Sequence, residues 1–133
     1  MKFTPENITH LEPNQIFCYG ANEKGIHGAG AARLALQWGA KMGQYGLVGQ
    51  TYGIPTKDKK INTLPLDKIQ VHVDTFLATA FSHPEYEFLL TKIGCGLALY
   101  EPKDIAPLFK IIKTGVFDNV ILPEEFYKII YVH

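Results

Sequence analysis

Two short segments hold the residues best suited to chemistry. The first, Gly20-Ala21-Asn22-Glu23-Lys24-Gly25-Ile26-His27-Gly28-Ala29-Gly30-Ala31-Ala32, sets one amide and one imidazole among small residues. Gly28 and Gly30 leave the main chain open to a bulky anion, Ala21 and Ala29 add little volume, and a turn that opens a helix presents free N–H groups to negative charge. Asn22 supplies an amide able to cap the turn and to meet a sugar hydroxyl. The His27 ring donates to a phosphate when neutral and adds charge when protonated. The second segment is Ile93-Gly94-Cys95-Gly96-Leu97-Ala98, with Tyr100 close behind as a ring that could stack on a base. If both loops faced one crevice, a diphosphate would be held between Ala21, Asn22, His27, Gly28, Ala29 and Gly30 on one side and Gly94, Cys95, Gly96 and Leu97 on the other. Close packing of a helix on a sheet is the plainer use of the small residues in the first segment.

The usual phosphate fingerprints are missing. No Gly-Lys-Ser/Thr ending marks a P-loop, and Arg33 stands where a dinucleotide pattern beginning Gly28-x-Gly30 requires Gly or Ala. An ordinary kinase or dehydrogenase is therefore disfavoured. Cys95 with His27 would make a different machine, a nucleophile and base for hydrolysis, but spacing nominates no Asp or Asn to orient the ring. A third option is an interaction module that holds no ligand.

Such loops need a scaffold that brings them together. Residues 15–19 form an apolar run stopped by Gly20, and residues 27–42 carry Ala31, Leu34, Ala35 and Trp38 at spacings that share one helix face. A second short strand over 51–55 ends at Pro55. Pro65 opens a helix in which Ile69, Val73, Phe76, Leu77, Ala80 and Phe81 recur until His83-Pro84. A third strand covers 86–93. Ile105, Leu108, Phe109 and Ile112 mark a third helix over 102–115, and residues 120–122 make a fourth strand, after which Phe126 and Tyr127 are free to cover a ligand. Strand and helix alternate, which predicts an α/β fold: a three-layer α/β/α sandwich around a mostly parallel sheet, with ligands beyond the carboxyl ends of the strands.

Composition narrows the partners. With 133 residues the chain suits one domain, 1–133, and thirteen basic residues balance thirteen acidic ones. No run of like charge favours nucleic acid or an anionic membrane, and no apolar stretch nears the roughly 18 residues of a membrane span. Residues 1–6 lack the apolar core of a secretion signal, so a cytoplasmic protein is expected. Two cysteines make no disulfide framework and no recognised zinc spacing. Neither a metal nor a cofactor is expected.

Three stretches together resemble the macrodomain superfamily: Asn22 through Gly28-Ala29-Gly30-Ala31-Ala32, Tyr52-Gly53-Ile54-Pro55-Thr56-Lys57, and Thr91-Lys92-Ile93-Gly94-Cys95-Gly96-Leu97. The chain is most similar to the branch that includes the terminal ADP-ribose protein glycohydrolase, over roughly residues 15–125. The resemblance implies the sheet order 4-3-1-2 for the four strands above and binding of ADP-ribose or a related small molecule with its diphosphate between the glycine loops. It also implies a catalytic lysine at Lys57. The acidic residue that follows Ile-Gly-Cys-Gly-Leu in that branch is replaced by Ala98; Asp58 could substitute only if its loop turns it into the pocket, and weak or absent ADP-ribosyl hydrolase activity is expected. The plain reading of Lys57-Asp58-Lys59-Lys60 is a solvated charged loop.

Overall fold

The first strand sets the pattern for the rest. In Gln15–Asn22 (β1), alternate residues turn to opposite faces of a sheet, so Ile16 and Cys18 enter one core while Phe17, Tyr19 and Ala21 enter another. The structure is a computed structural model and describes residues 2–132; residues 1 and 133 of the expected 1–133 domain lie outside the described residues. β1 pairs in parallel with Thr51–Lys57 (β3) on one side and Glu87–Leu90 (β4) on the other. Val120–Ile121 (β5) extends the sheet in parallel beyond β4, and Gly46–Val48 (β2) runs antiparallel along β3.

The fold is thus α/β with a five-stranded mixed sheet in the order β2-β3-β1-β4-β5, one strand more than the four expected. The three residues of β2 are too few to show an alternation. A further correction concerns Pro55, expected to end its strand. β3 continues to Lys57, with Pro55 in register with Ala21 of β1, because β2 pairs only with Thr51, Tyr52 and Gly53 and no partner awaits an N–H at the proline.

The larger core lies between the sheet and Leu66–Ser82 (α2), which buries Ile69, Val73, Phe76, Leu77 and Ala80. Phe76 is its hub, with ring centres 5.0 Å from Tyr52 and 5.7 Å from Phe88, both edge-on. Phe81, expected on the same face, is instead 64% exposed and rests edge-on against Phe117. The expected helix over 102–115 is a single α-turn, Pro102–Ile105 (α3), continued by a 3-10 segment over Ala106–Thr114 that stops at Gly115. A last helix, Glu124–Tyr131 (α4), was not expected, and it removes two aromatics from consideration as ligand covers. Phe126 is fully buried in the core, while Tyr127 stacks on Tyr131 at 4.5 Å and touches Phe3.

The smaller core, on the other face, gathers Phe17, Tyr19 and Leu89 with Ile8 and Leu11 of the N-terminal segment and with Ala32 and Ala35 of Gly30–Ala35 (α1). The helix expected over 27–42 shrinks to these six residues and a 3-10 turn, Leu36–Trp38, ended by Gly39 at φ 104°. Its buried face is Ala32 and Ala35, and Leu34 points to solvent.

Candidate functional site

Parallel strands that end together leave their following loops to diverge, and a cavity of about 380 Å³ opens where β1, β3 and β4 end. That volume falls within the roughly 300–1,000 Å³ of small-molecule sites. Its floor is Gly20, Ala21 and Asn22 of β1. One wall is Gly28 to Ala32, and the opposite wall is Gly94, Gly96, Leu97 and Ala98. The two glycine loops face each other closely: Leu97 Cδ1 lies 3.6 Å from where a β-carbon on Gly30 would stand. Gly94 is required by packing, since a β-carbon there would come within 2.9 Å of Ile105 at a backbone φ of +74°. Gly28 and Gly96 are unobstructed and open to the cavity.

The main chain of both loops is unspent. Gly28, Ala29, Gly94, Gly96, Leu97 and Ala98 all have N–H groups that donate to no other protein group among the described residues. Free donors on two walls of one cavity make an anion-binding concavity, and this rests on the loops themselves, because six-residue α1 is too short to contribute much dipole. The side chains agree in charge. Lys57 and Lys92 line the cavity and, among the described residues, no carboxylate does.

The expected site residues divide into those at the cavity and those drawn elsewhere. Ala21, Asn22, Gly28, Ala29, Gly30, Gly94, Gly96, Leu97 and Lys57 all line it. Asn22 does so while its amide is occupied: Nδ2 donates to the Ile26 carbonyl at 2.9 Å, and Oδ1 accepts from the N–H groups of Lys24 and Ile26. It shapes the loop that it begins.

Four residues are placed away from the cavity wall. His27 is turned inward and only 2% exposed, with Nε2 2.8 Å from the Tyr19 hydroxyl. Its Nδ1 has no partner among the described residues. Burial pushes the Tyr19 hydroxyl up to about 12, so it stays protonated and the contact is a neutral hydrogen bond unless the ring is charged. The ring of Tyr19 has room because Gly53 is its register partner on β3, where a β-carbon would fall 2.8 Å from the hydroxyl oxygen. Cys95 faces the larger core, its Sγ 3.4 Å from the Ile93 carbonyl, and burial pushes the thiol up to about 11. No hydrogen bond joins Cys95 to His27, so the nucleophile–base pair is not assembled. Tyr100 donates its O–H to the Leu64 carbonyl at 2.7 Å, which fixes it as a strut between loops. Asp58 is consumed by its own turn: Oδ1 accepts from the N–H groups of Lys60 and Asn62 at 2.8 and 2.9 Å.

The sequence reading missed Ile26, Thr56, Ile61 and Lys92, all of which line the cavity. Lys92 was within reach, two residues before Gly94 on the strand that feeds the second loop. Ile61 carried no signal, since its position depends on how the turn at Asp58 closes. Among the described residues no group of three His, Cys, Asp or Glu side chains is placed to hold a metal ion, and no helix is long and apolar enough to cross a membrane. No protein-family model, curated protein or solved structure matches the chain.

Proposed function

We propose that this chain binds ADP-ribose or a closely related nucleoside diphosphate, with the diphosphate between the loops 28–32 and 94–98, in a macrodomain-like three-layer fold. The observation that carries the reading is the convergence of unspent N–H groups from two loops on one cavity that holds lysine and, among the described residues, no carboxylate. Two further features support it. The sheet runs β2-β3-β1-β4-β5 with β1 between β3 and β4, and helices or chain segments cover both faces.

Binding is favoured over turnover. Cleaving a glycosidic bond calls for a carboxylate or an activated nucleophile at the anomeric carbon, yet Ala98 stands at the second loop and the Asp58 carboxylate is held in its own turn. Lys57 then acts as a fixed cation toward the ligand, and any ADP-ribosyl hydrolase activity is weak or absent.

Calorimetry tests the reading directly. ADP-ribose should bind at least about tenfold more tightly than AMP, because only a diphosphate engages both loops with charge-assisted hydrogen bonds. Gly28→Val and Gly96→Val each add bulk at the cavity wall, where a β-carbon meets no close contact, and should abolish that preference in a folded protein. Gly30→Val is the poorer probe, since φ +59° would strain any β-branched residue there. Equal affinity for the two ligands, or binding that survives both substitutions, removes the two-loop site. The absence of nucleotide binding would favour an interaction module.

A further inference from the structure

Ile61 is an apolar residue in a polar turn, and the turn holds it in an unusual way. Its backbone is left-handed, with φ +65°, a region that β-branched side chains rarely occupy. The constraint comes from Asp58, whose side chain takes the N–H groups of Lys60 and Asn62 while its carbonyl accepts the N–H of Ile61 at 3.1 Å. A bridge between Lys57 and Thr63 closes the base of the turn. Of residues 58–62, only Ile61 lines the cavity.

Neither hydrophobic core includes Ile61, and it is 43% exposed. On the neighbouring loop, whose Ala98 carbonyl accepts from the Thr63 hydroxyl at 3.2 Å, Leu97 is 64% exposed and reaches toward Gly30. Two large apolar side chains thus stand partly in water on adjoining loops of a cavity also lined by a lysine and by residues with free N–H groups. Phosphate gains nothing from such a lip, whereas a ring attached to the phosphate would bury it. We infer that Ile61 and Leu97 form an apolar clamp on a nucleoside ring joined to the diphosphate, which makes Ile61 a specificity-determining residue that selects nucleoside diphosphates over inorganic pyrophosphate. This inference rests on the reading of the cavity as a diphosphate site.

A natural control exists in the same molecule. Leu99 is the other non-glycine residue with a left-handed backbone among the described residues, φ +70°, but it is 85% exposed and does not line the cavity. Glycine suits both conformations, so Ile61→Gly and Leu99→Gly should each leave the melting temperature at or above that of the wild type. Titration calorimetry with ADP-ribose and with inorganic pyrophosphate then separates the roles. Ile61→Gly should weaken ADP-ribose about tenfold relative to pyrophosphate, and Leu99→Gly should change neither. Unchanged ADP-ribose affinity in Ile61→Gly, an equal loss for both ligands, or a melting temperature several degrees lower would each overturn the clamp. A wild type that binds neither ligand would instead overturn the diphosphate reading and the clamp with it.

Discussion

Lys57 and Lys92 sit on the same cavity and live in different surroundings. Lys57 ends β3, is half-buried, and has no ion pair among the described residues. Lys92 follows β4 and is drawn outward, with Nζ 3.3 Å from Glu125 of α4 and 3.8 Å from Glu6 of the N-terminal segment. Its hydrogen bond to Glu125 pushes the ammonium above its ordinary range. One cation is left for a ligand and the other ties α4 and the N-terminal segment to the sheet. Residue type and cavity membership are identical; the difference lies in what already satisfies each charge.

The largest expected effect tests that contrast head-on. Lys57→Ala should weaken ADP-ribose about thirtyfold, the loss of one charge-assisted contact worth about 2 kcal/mol, with little change in melting temperature. Lys92→Ala should weaken it less than about threefold and cost at most ~1 kcal/mol of stability, as exposed ion pairs do. Calorimetry and thermal melts on both variants check this, and equal losses of affinity would erase the distinction. A smaller effect sharpens it: Glu125→Gln releases the closer partner of Lys92 and should strengthen ADP-ribose by about twofold as the ammonium turns toward the cavity, while Glu6→Gln should do less.

The smallest effect reads the lysines through Cys95. Burial raises that thiol from 9.0 to about 11, with the nearby Lys92 charge acting in the opposite sense. Alkylation of Cys95 by iodoacetamide should therefore be slow at neutral pH and rise toward pH 11. Lys92→Ala should move the profile upward by less than about one unit and Lys57→Ala should leave it in place. Stability carries the same signature. Below about pH 9 the thiol is protonated in folded and unfolded chains alike; between 9 and 11 only the unfolded chain ionises, so the protein loses stability as pH rises through that window. The buried Cys18 thiol, also pushed up by burial, adds a loss of the same sign, so Cys95→Ala should lessen that slope in a pH–melting curve without removing it, and an unchanged slope would contradict the burial of Cys95.

Much of the scaffold was legible in the sequence because burial leaves a pattern in it. The continuous apolar run Ile16, Phe17, Cys18 and Tyr19, which a strand buried on both faces leaves, and the stripe Ile69–Val73–Phe76–Ala80 both reappear in the two cores. α4 was legible and overlooked: Pro123 with Glu124 and Glu125 marks a helix start, and Phe126 and Ile130 fall four apart on its buried face. β2 was not, since three residues carry no period; the early end of α1 was marked by Gly39, a glycine in the left-handed turn that commonly closes a helix. At the site, glycine marked both walls. Side-chain direction escaped: His27 faces Tyr19 and not the cavity because of room left by Gly53, a residue some thirty positions away in the chain.

The central position of β1 has a consequence for the order in which the chain can assemble. Its contacts with β3 close spans of about 35 residues and those with β4 spans of 72. Helices α1 and α2 can form early from local contacts, but the strand at the middle of the sheet stays open along one edge until β4 exists to pair with it. During synthesis, at roughly 5–20 residues per second, that edge is bare for several seconds. It also carries the longest unbroken apolar run of any strand in the sheet, Ile16, Phe17, Cys18 and Tyr19. Refolding should accordingly be limited by this long-range pairing, on the millisecond-to-second scale of non-local topologies, and the half-made chain is where aggregation competes with folding.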